Sequence, residues 1–134
     1  MKKLLVALLM TASIVHAAET DWLTVAASNN LTYSIKKGSA ELSKNDGGEP
    51  IILGIGNIKN TSTNAGVLEV WYVEIRSCLR QFGKLYSADS DGRIQSTTDF
   101  AFGQGTIASG IGEALCASAS RQLNSKQPNL KGSV

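Results

Sequence analysis

Beyond residue 17 the chain has no histidine and no methionine, because His16, Met1 and Met10 all lie at its amino terminus. Without imidazole, that stretch cannot build a Ser-His-Asp triad, a Cys-His dyad or a histidine-ligated metal site. Proline is as scarce, with only Pro50 and Pro128. After the amino-terminal segment no apolar run approaches the ~20 residues that a membrane-spanning helix needs. Charge of either sign is also modest. The 134 residues carry 13 basic and 11 acidic side chains, and 43% of the chain is hydrophobic. That balance excludes a disordered or collagen-like chain and fits one small domain.

What is present begins with an export signal. Lys2 and Lys3 precede the apolar run Leu4–Met10, and Val15-His16-Ala17 places small residues at the −3 and −1 positions. This layout predicts a secretory signal peptide over 1–17, cleaved after Ala17 or Ala18. No cysteine lies near the cleavage point, so no lipid anchor is expected. Cleavage after Ala17 leaves 117 residues with 11 basic and 11 acidic groups, a neutral domain without the basic footprint of a nucleic-acid binder. The expected location is periplasmic or secreted. In that setting Cys78 and Cys116, the only cysteines, read as a disulfide.

Along the chain the signals are mainly those of strands. Trp22–Ala27 and Leu31–Ile35 flank the turn Ser28-Asn29-Asn30 and predict a hairpin. Residues 38–48 read as a loop, and 50–59 as a strand with a bulge or close packing at Gly54 and Gly56. In 67–80, Trp71, Val73, Ile75 and Leu79 alternate with Tyr72, Glu74, Arg76 and Arg80, which predicts one long strand. That alternation sets Cys78 on the polar side. Residues 82–87 continue as a strand after a kink at Gly83, and Asp89-Ser90-Asp91-Gly92 marks a hairpin turn before the return strand 93–100. Ser109 is the expected N-cap of a helix reaching about Leu123, pinned by the disulfide to the long strand. The expected fold is α+β, an antiparallel sheet of about five to six strands with one C-terminal helix packed on it. The domain is expected to occupy 18–124, with a flexible tail over 125–134.

Few residue groups suggest chemistry. Asp89–Gly92 begins like a calcium loop but lacks the later ligands. The glycines at 103, 105, 110 and 112 lead into a helix without the Lys-Ser/Thr of a phosphate loop. Glu69 and Glu74 are an odd number of positions apart, which sets them on opposite faces of a strand as surface charges. No catalytic residue, cofactor or metal is therefore expected. Tyr72, Glu74, Arg76, Arg80 and Tyr86 form the expected binding surface.

Trp22, Tyr33, the run Glu74-Ile75-Arg76-Ser77-Cys78-Leu79-Arg80, Tyr86, Asp91-Gly92 and the run from Ser109 to Cys116 occur in an order that resembles the surface-adhesin protein E family of small exported bacterial domains. The resemblance implies a helix-backed antiparallel sheet, adhesion to host matrix or plasma proteins, and dimers. The chain departs from the family in lacking a lipid-anchor cysteine and in its glycine-rich lead-in over 103–112. The expected function is that of a non-catalytic, adhesin-like protein binder. The alternative is a periplasmic inhibitor or immunity protein against a cell-wall hydrolase or toxin, with Lys44–Glu49 or Asn60–Gly66 as the plug. A homodimer through an exposed edge at Val67–Leu79 is a further expectation.

Overall fold

The computed structural model of the chain describes residues 21–125. The expected signal peptide with its cleavage point, and residues 126–134 of the expected tail, lie outside the described residues. The described residues form seven strands: β1 Trp22–Ala27, β2 Leu31–Lys36, β3 Glu41–Lys44, β4 Pro50–Asn60, β5 Gly66–Glu74, β6 Phe82–Ala88 and β7 Ile94–Ala101. Two helices accompany them among the described residues, α1 Ile75–Arg80 and α2 Ile107–Ser125. The strands make one antiparallel sheet in the order β1-β2-β4-β5-β6-β7, with β3 also paired to β4. The 11-residue β4 serves two partners end to end, β2 along Gly56–Asn60 and β3 along Pro50–Leu53.

Local chemistry accounts for the turns. The Ser28 N–H donates to the Leu31 carbonyl at 2.9 Å and closes the β1–β2 hairpin. Between β6 and β7, Asp89 Oδ1 accepts from the Asp91 and Arg93 N–H groups at 2.9 and 3.0 Å. Gly92 alone takes positive φ there, at 88°, so the turn ends in a left-handed glycine and does not have two left-handed central residues. The carboxylate of Asp89 is thus a turn acceptor, and its other oxygen accepts from Gln95 Nε2 at 3.1 Å.

One face of the sheet is covered by α2. Ala108, Ile111, Leu115 and Ala119 recur at helical spacing and are buried, against Ile35, Ile52, Trp71, Val73, Leu85 and Phe100. Trp71 anchors this layer at 2% exposure. A buried indole of roughly 200 Å² contributes about 5 kcal/mol of transfer free energy at ~25 cal/mol per Å², before the cost of ordering it. The indole lies so close to β4 that a Cβ on Gly56 would sit 2.5 Å from its ring. Close packing, with unbroken pairing of β4 to β5, is therefore the role of this glycine, and no bulge forms.

Three departures from the sequence reading have physical causes. The strand expected over 67–80 stops at Glu74, and residues 75–80 turn into α1. Ile75 and Leu79 stand four apart, a spacing common to both periods, so their pattern fits a helix equally well. The helix ends at Gln81, whose φ of 68° and N–H bond to the Ser77 carbonyl make a left-handed cap. Leu79, expected inside, is 81% exposed. Ser77 is buried instead, against Gly83 of β6, where any Cβ would meet the Ser77 hydroxyl. Second, α2 starts before Ser109. Thr106 caps it, its Oγ1 accepting the Ser109 N–H at 3.1 Å, while the Ser109 hydroxyl donates to the Ala101 carbonyl at 2.7 Å and ties α2 to β7. Ser125, assigned to the tail, is the last residue of α2. Third, the loop read over 38–48 contains β3.

The disulfide joins the two helices. Cys78 and Cys116 are bonded with a Cα–Cα distance of 5.4 Å. The bridge therefore runs from α1 to α2, because the helical turn at Ile75 re-aims Cys78 away from the position that alternation gave it. Among the described residues no helix is long and apolar enough to cross a membrane.

Candidate functional site

The sheet face turned away from α2 is the first candidate. Its side chains come from alternate positions of β4 to β7, in rows set by the strand register. One row runs Leu53, Tyr72, Tyr86, Thr97, and the next runs Ile55, Val70, Ala88, Ile94. Tyr72 and Tyr86 are direct cross-strand neighbours, and their rings stack with centroids 4.8 Å apart and planes inclined by 17°. Burial, with Tyr86, Asp46 and Glu74 nearby, pushes the Tyr72 phenol above its ordinary pKa of 10.0. Ile55, Leu68 and Ile94 remain exposed on this face, at 37%, 64% and 53%. Lys44 at the end of β3, residues 45–47 of the β3–β4 loop, and Asp89, Ser90 and Gly92 of the β6–β7 turn flank it. Together they bound an open groove of about 490 Å³ floored by Val70, Tyr72 and Tyr86.

Charge is placed at one end of the face. Arg76 Nε donates to Glu74 Oε1 at 3.0 Å, and Arg76 Nη1 lies 3.7 Å from Glu49 Oε1. The hydrogen bond that Arg76 donates to Glu74, then the charges of Glu49 and Glu74, raise the Arg76 pKa. Beside Tyr86 on the same strand face, Lys84 pairs with Asp99 at 2.6 Å, and that bond raises the lysine pKa. These exposed pairs orient charge more than they stabilise the fold. Of the residues named from sequence, Tyr72, Tyr86, Glu74 and Arg76 come together. Arg80 does not. It lies over the Phe82 ring, 5.2 Å from the centroid, and lines a separate groove of about 670 Å³ with Gln104 and Thr106.

The dimer edge expected at Val67–Leu79 also changes. Val70–Val73 pair on both sides, with β4 and β6, and 75–80 is helical. Gly66–Glu69, and Glu74 at the other end of β5, lack a partner on the β6 side. In the Gly66–Glu69 stretch Val67 and Leu68 are 60% and 64% exposed.

Glu69 is the residue that the sequence reading misjudged. It is separated from Glu74 by the thickness of the sheet, but it is not a solvated surface charge. It is half-buried on the α2 side, and its Oε1 accepts from Trp71 Nε1 at 2.8 Å and from the Ser87 hydroxyl at 2.7 Å. The signal was in the alternation itself: Glu69 has the parity of Trp71 and Val73, the buried positions of β5. Among the described residues no cluster of three histidine, cysteine, aspartate or glutamate side chains could hold a metal ion.

Comparison of the chain with protein-family models, with curated proteins and with solved structures found no match to any of them.

Proposed function

We propose that this protein is a non-catalytic, exported bacterial binding protein, adhesin-like, which engages a protein partner through the sheet face opposite α2. One observation carries the reading: two register-aligned rows, mostly apolar and aromatic, cross four strands on the sheet face opposite α2 and floor an open groove between residues 44–47 and the β6–β7 turn. Aromatic residues in a shallow groove, rimmed by charge, are the composition of protein-binding hot spots. Glu74, Arg76 and Glu49 supply such a rim at one end. The resemblance to the surface-adhesin protein E family supports the same class of partner, a host matrix or plasma protein.

The test is capture of host matrix proteins by immobilised protein, wild type against Tyr72→Ala/Tyr86→Ala. The double variant loses at least tenfold in affinity for the captured protein, about 1.4 kcal/mol. Equal binding by the two forms refutes the assignment of the face. Specific capture of a bacterial hydrolase or toxin, with no host protein retained, refutes adhesion.

A second reading, the inhibitor, is favoured by the loop between β4 and β5. Asn60 Oδ1 accepts from the Ser62 and Thr63 N–H groups at 2.9 and 3.1 Å, and the Asn64 N–H donates to the Asn60 carbonyl at 2.7 Å. A loop held in one shape binds with little ordering cost, as a plug in an enzyme cleft requires. Loss of hydrolase capture on Asn60→Ala supports this second reading.

A further inference from the structure

We propose that the cavity around Glu69, on the α2 side of the sheet, is a binding site for a primary alkylammonium ion. It lies on the opposite face from the Tyr72–Tyr86 groove and does not depend on the partner proposed there. The cavity has a volume of about 340 Å³, within the range of small-molecule sites.

The argument begins with the carboxylate. Both hydrogen bonds that Glu69 accepts converge on Oε1, from Trp71 and Ser87. Among the described residues nothing donates to Oε2, and no lysine or arginine nitrogen lies within 4 Å of the group. The first turn of α2 contributes Ile107, Ala108 and Ile111 to the wall, but no N–H of that turn donates to Glu69. The free oxygen therefore opens into the cavity without a protein partner among the described residues, and a cationic ligand seated there gains a charge-assisted hydrogen bond. The two existing donors fix the carboxylate in place, so its free oxygen is preorganised.

The remaining wall selects the kind of cation. Ser96 and Thr98 line the cavity, and their hydroxyls make no hydrogen bond among the described residues. An ammonium carries three N–H donors, enough for Oε2 and for hydroxyl oxygens of this wall. A quaternary ammonium has no N–H to donate to them. The rest of the lining is apolar, with Ile58, Leu85, Ile107 and Ile111, and takes an alkyl chain. The Tyr33 ring adds an aromatic surface beside these groups. The shared chemistry has two sources, a free small amine or the side chain of a lysine on another protein.

The experiment is a titration of the purified protein with n-butylammonium chloride, and with n-butanol as the neutral control of equal length. The Trp71 indole N–H resonance reports occupancy. Butylammonium shifts that resonance and binds at least tenfold more tightly than butanol. Glu69→Gln keeps an oxygen for Trp71 and Ser87, removes the charge, and lowers butylammonium affinity at least tenfold with butanol unchanged. Equal affinity for the two probes in the wild type overturns the proposal, and this comparison stands even if the variant fails to fold. Undiminished butylammonium binding by a folded Glu69→Gln overturns it equally. Nα-acetyl-lysine amide serves as the second arm. Binding equal to that of butylammonium assigns the site to a protein lysine, and exclusion of it assigns the site to a free amine.

Discussion

Removal of the Cys78–Cys116 cross-link unties the short helix α1 from α2. The bond closes a 38-residue separation. In the chain-entropy description a loop of that length costs the unfolded state about 4 kcal/mol at 25 °C, and measured disulfides commonly deliver ~2–4. Set against the ~5–15 kcal/mol typical of a domain, that is a large share of the total stability. The effect also has a location. The α1 helix has only six residues, well short of the ~12–15 at which an isolated helix becomes marginal, so its conformation depends on what it is fastened to. Urea unfolding of three forms separates the contributions: oxidised wild type, reduced wild type, and Cys78→Ala/Cys116→Ala. Reduction keeps both sulfurs in the core and removes only the bond. The alanine pair also removes the volume of Cys116, which is 7% exposed. The reduced protein loses about 2–4 kcal/mol, its denaturant dependence steepens because the unfolded chain expands, and amide exchange accelerates first in residues 75–80. The alanine form loses as much or slightly more. A loss below about 1 kcal/mol in both forms, or exchange that accelerates in β4 before α1, refutes the reasoning.

Gly56→Ala places a Cβ 2.5 Å from the Trp71 ring and should destabilise the protein by about 1–3 kcal/mol, read by chemical denaturation, with a shifted tryptophan emission maximum. Tyr72 is the titration test. Its folded pKa lies above the unfolded value, so its stabilising contribution is complete below pH 10 and is lost as pH rises through the folded pKa. Absorbance titration at tyrosinate wavelengths should show a component above the ordinary 10.0 that disappears in Tyr72→Phe.

Much of this fold was legible because one period dominated. The β1–β2 hairpin, β4, the β6–β7 turn and the amphipathic course of α2 all follow from alternation, from turn residues or from helical spacing. The failures occur where the periods or their carriers ran out. Ile75 and Leu79 satisfy both a strand and a helix, and what decides for the helix is tertiary: Ser77 fits under Gly83, and Cys78 reaches Cys116. β3 has a single apolar residue, Leu42, so nothing in Glu41-Leu42-Ser43-Lys44 distinguishes it from loop until β4 offers an unpaired edge. The aromatic face was legible for Tyr72 and Tyr86 because each alternates with buried neighbours. Arg80 was grouped with them by strand parity, and the turn into α1 removed that basis. Glu69 departs from the rule that a carboxylate seeks water, and its parity with Trp71 is the signal that places it on the core side.

The position of α2 at the end of the described chain governs how a partial chain behaves. The strands of the sheet are largely neighbours in sequence and can pair as the chain emerges, but among the described residues the face carrying Ile52, Trp71, Val73 and Leu85 is covered chiefly by residues 107–125. A chain that ends before α2 holds a sheet with one apolar side open and Cys78 without its partner. Such a fragment is a substrate for chaperones and proteases and a template for aggregation. The last 19 described residues thus decide whether the first eighty or so survive their own synthesis.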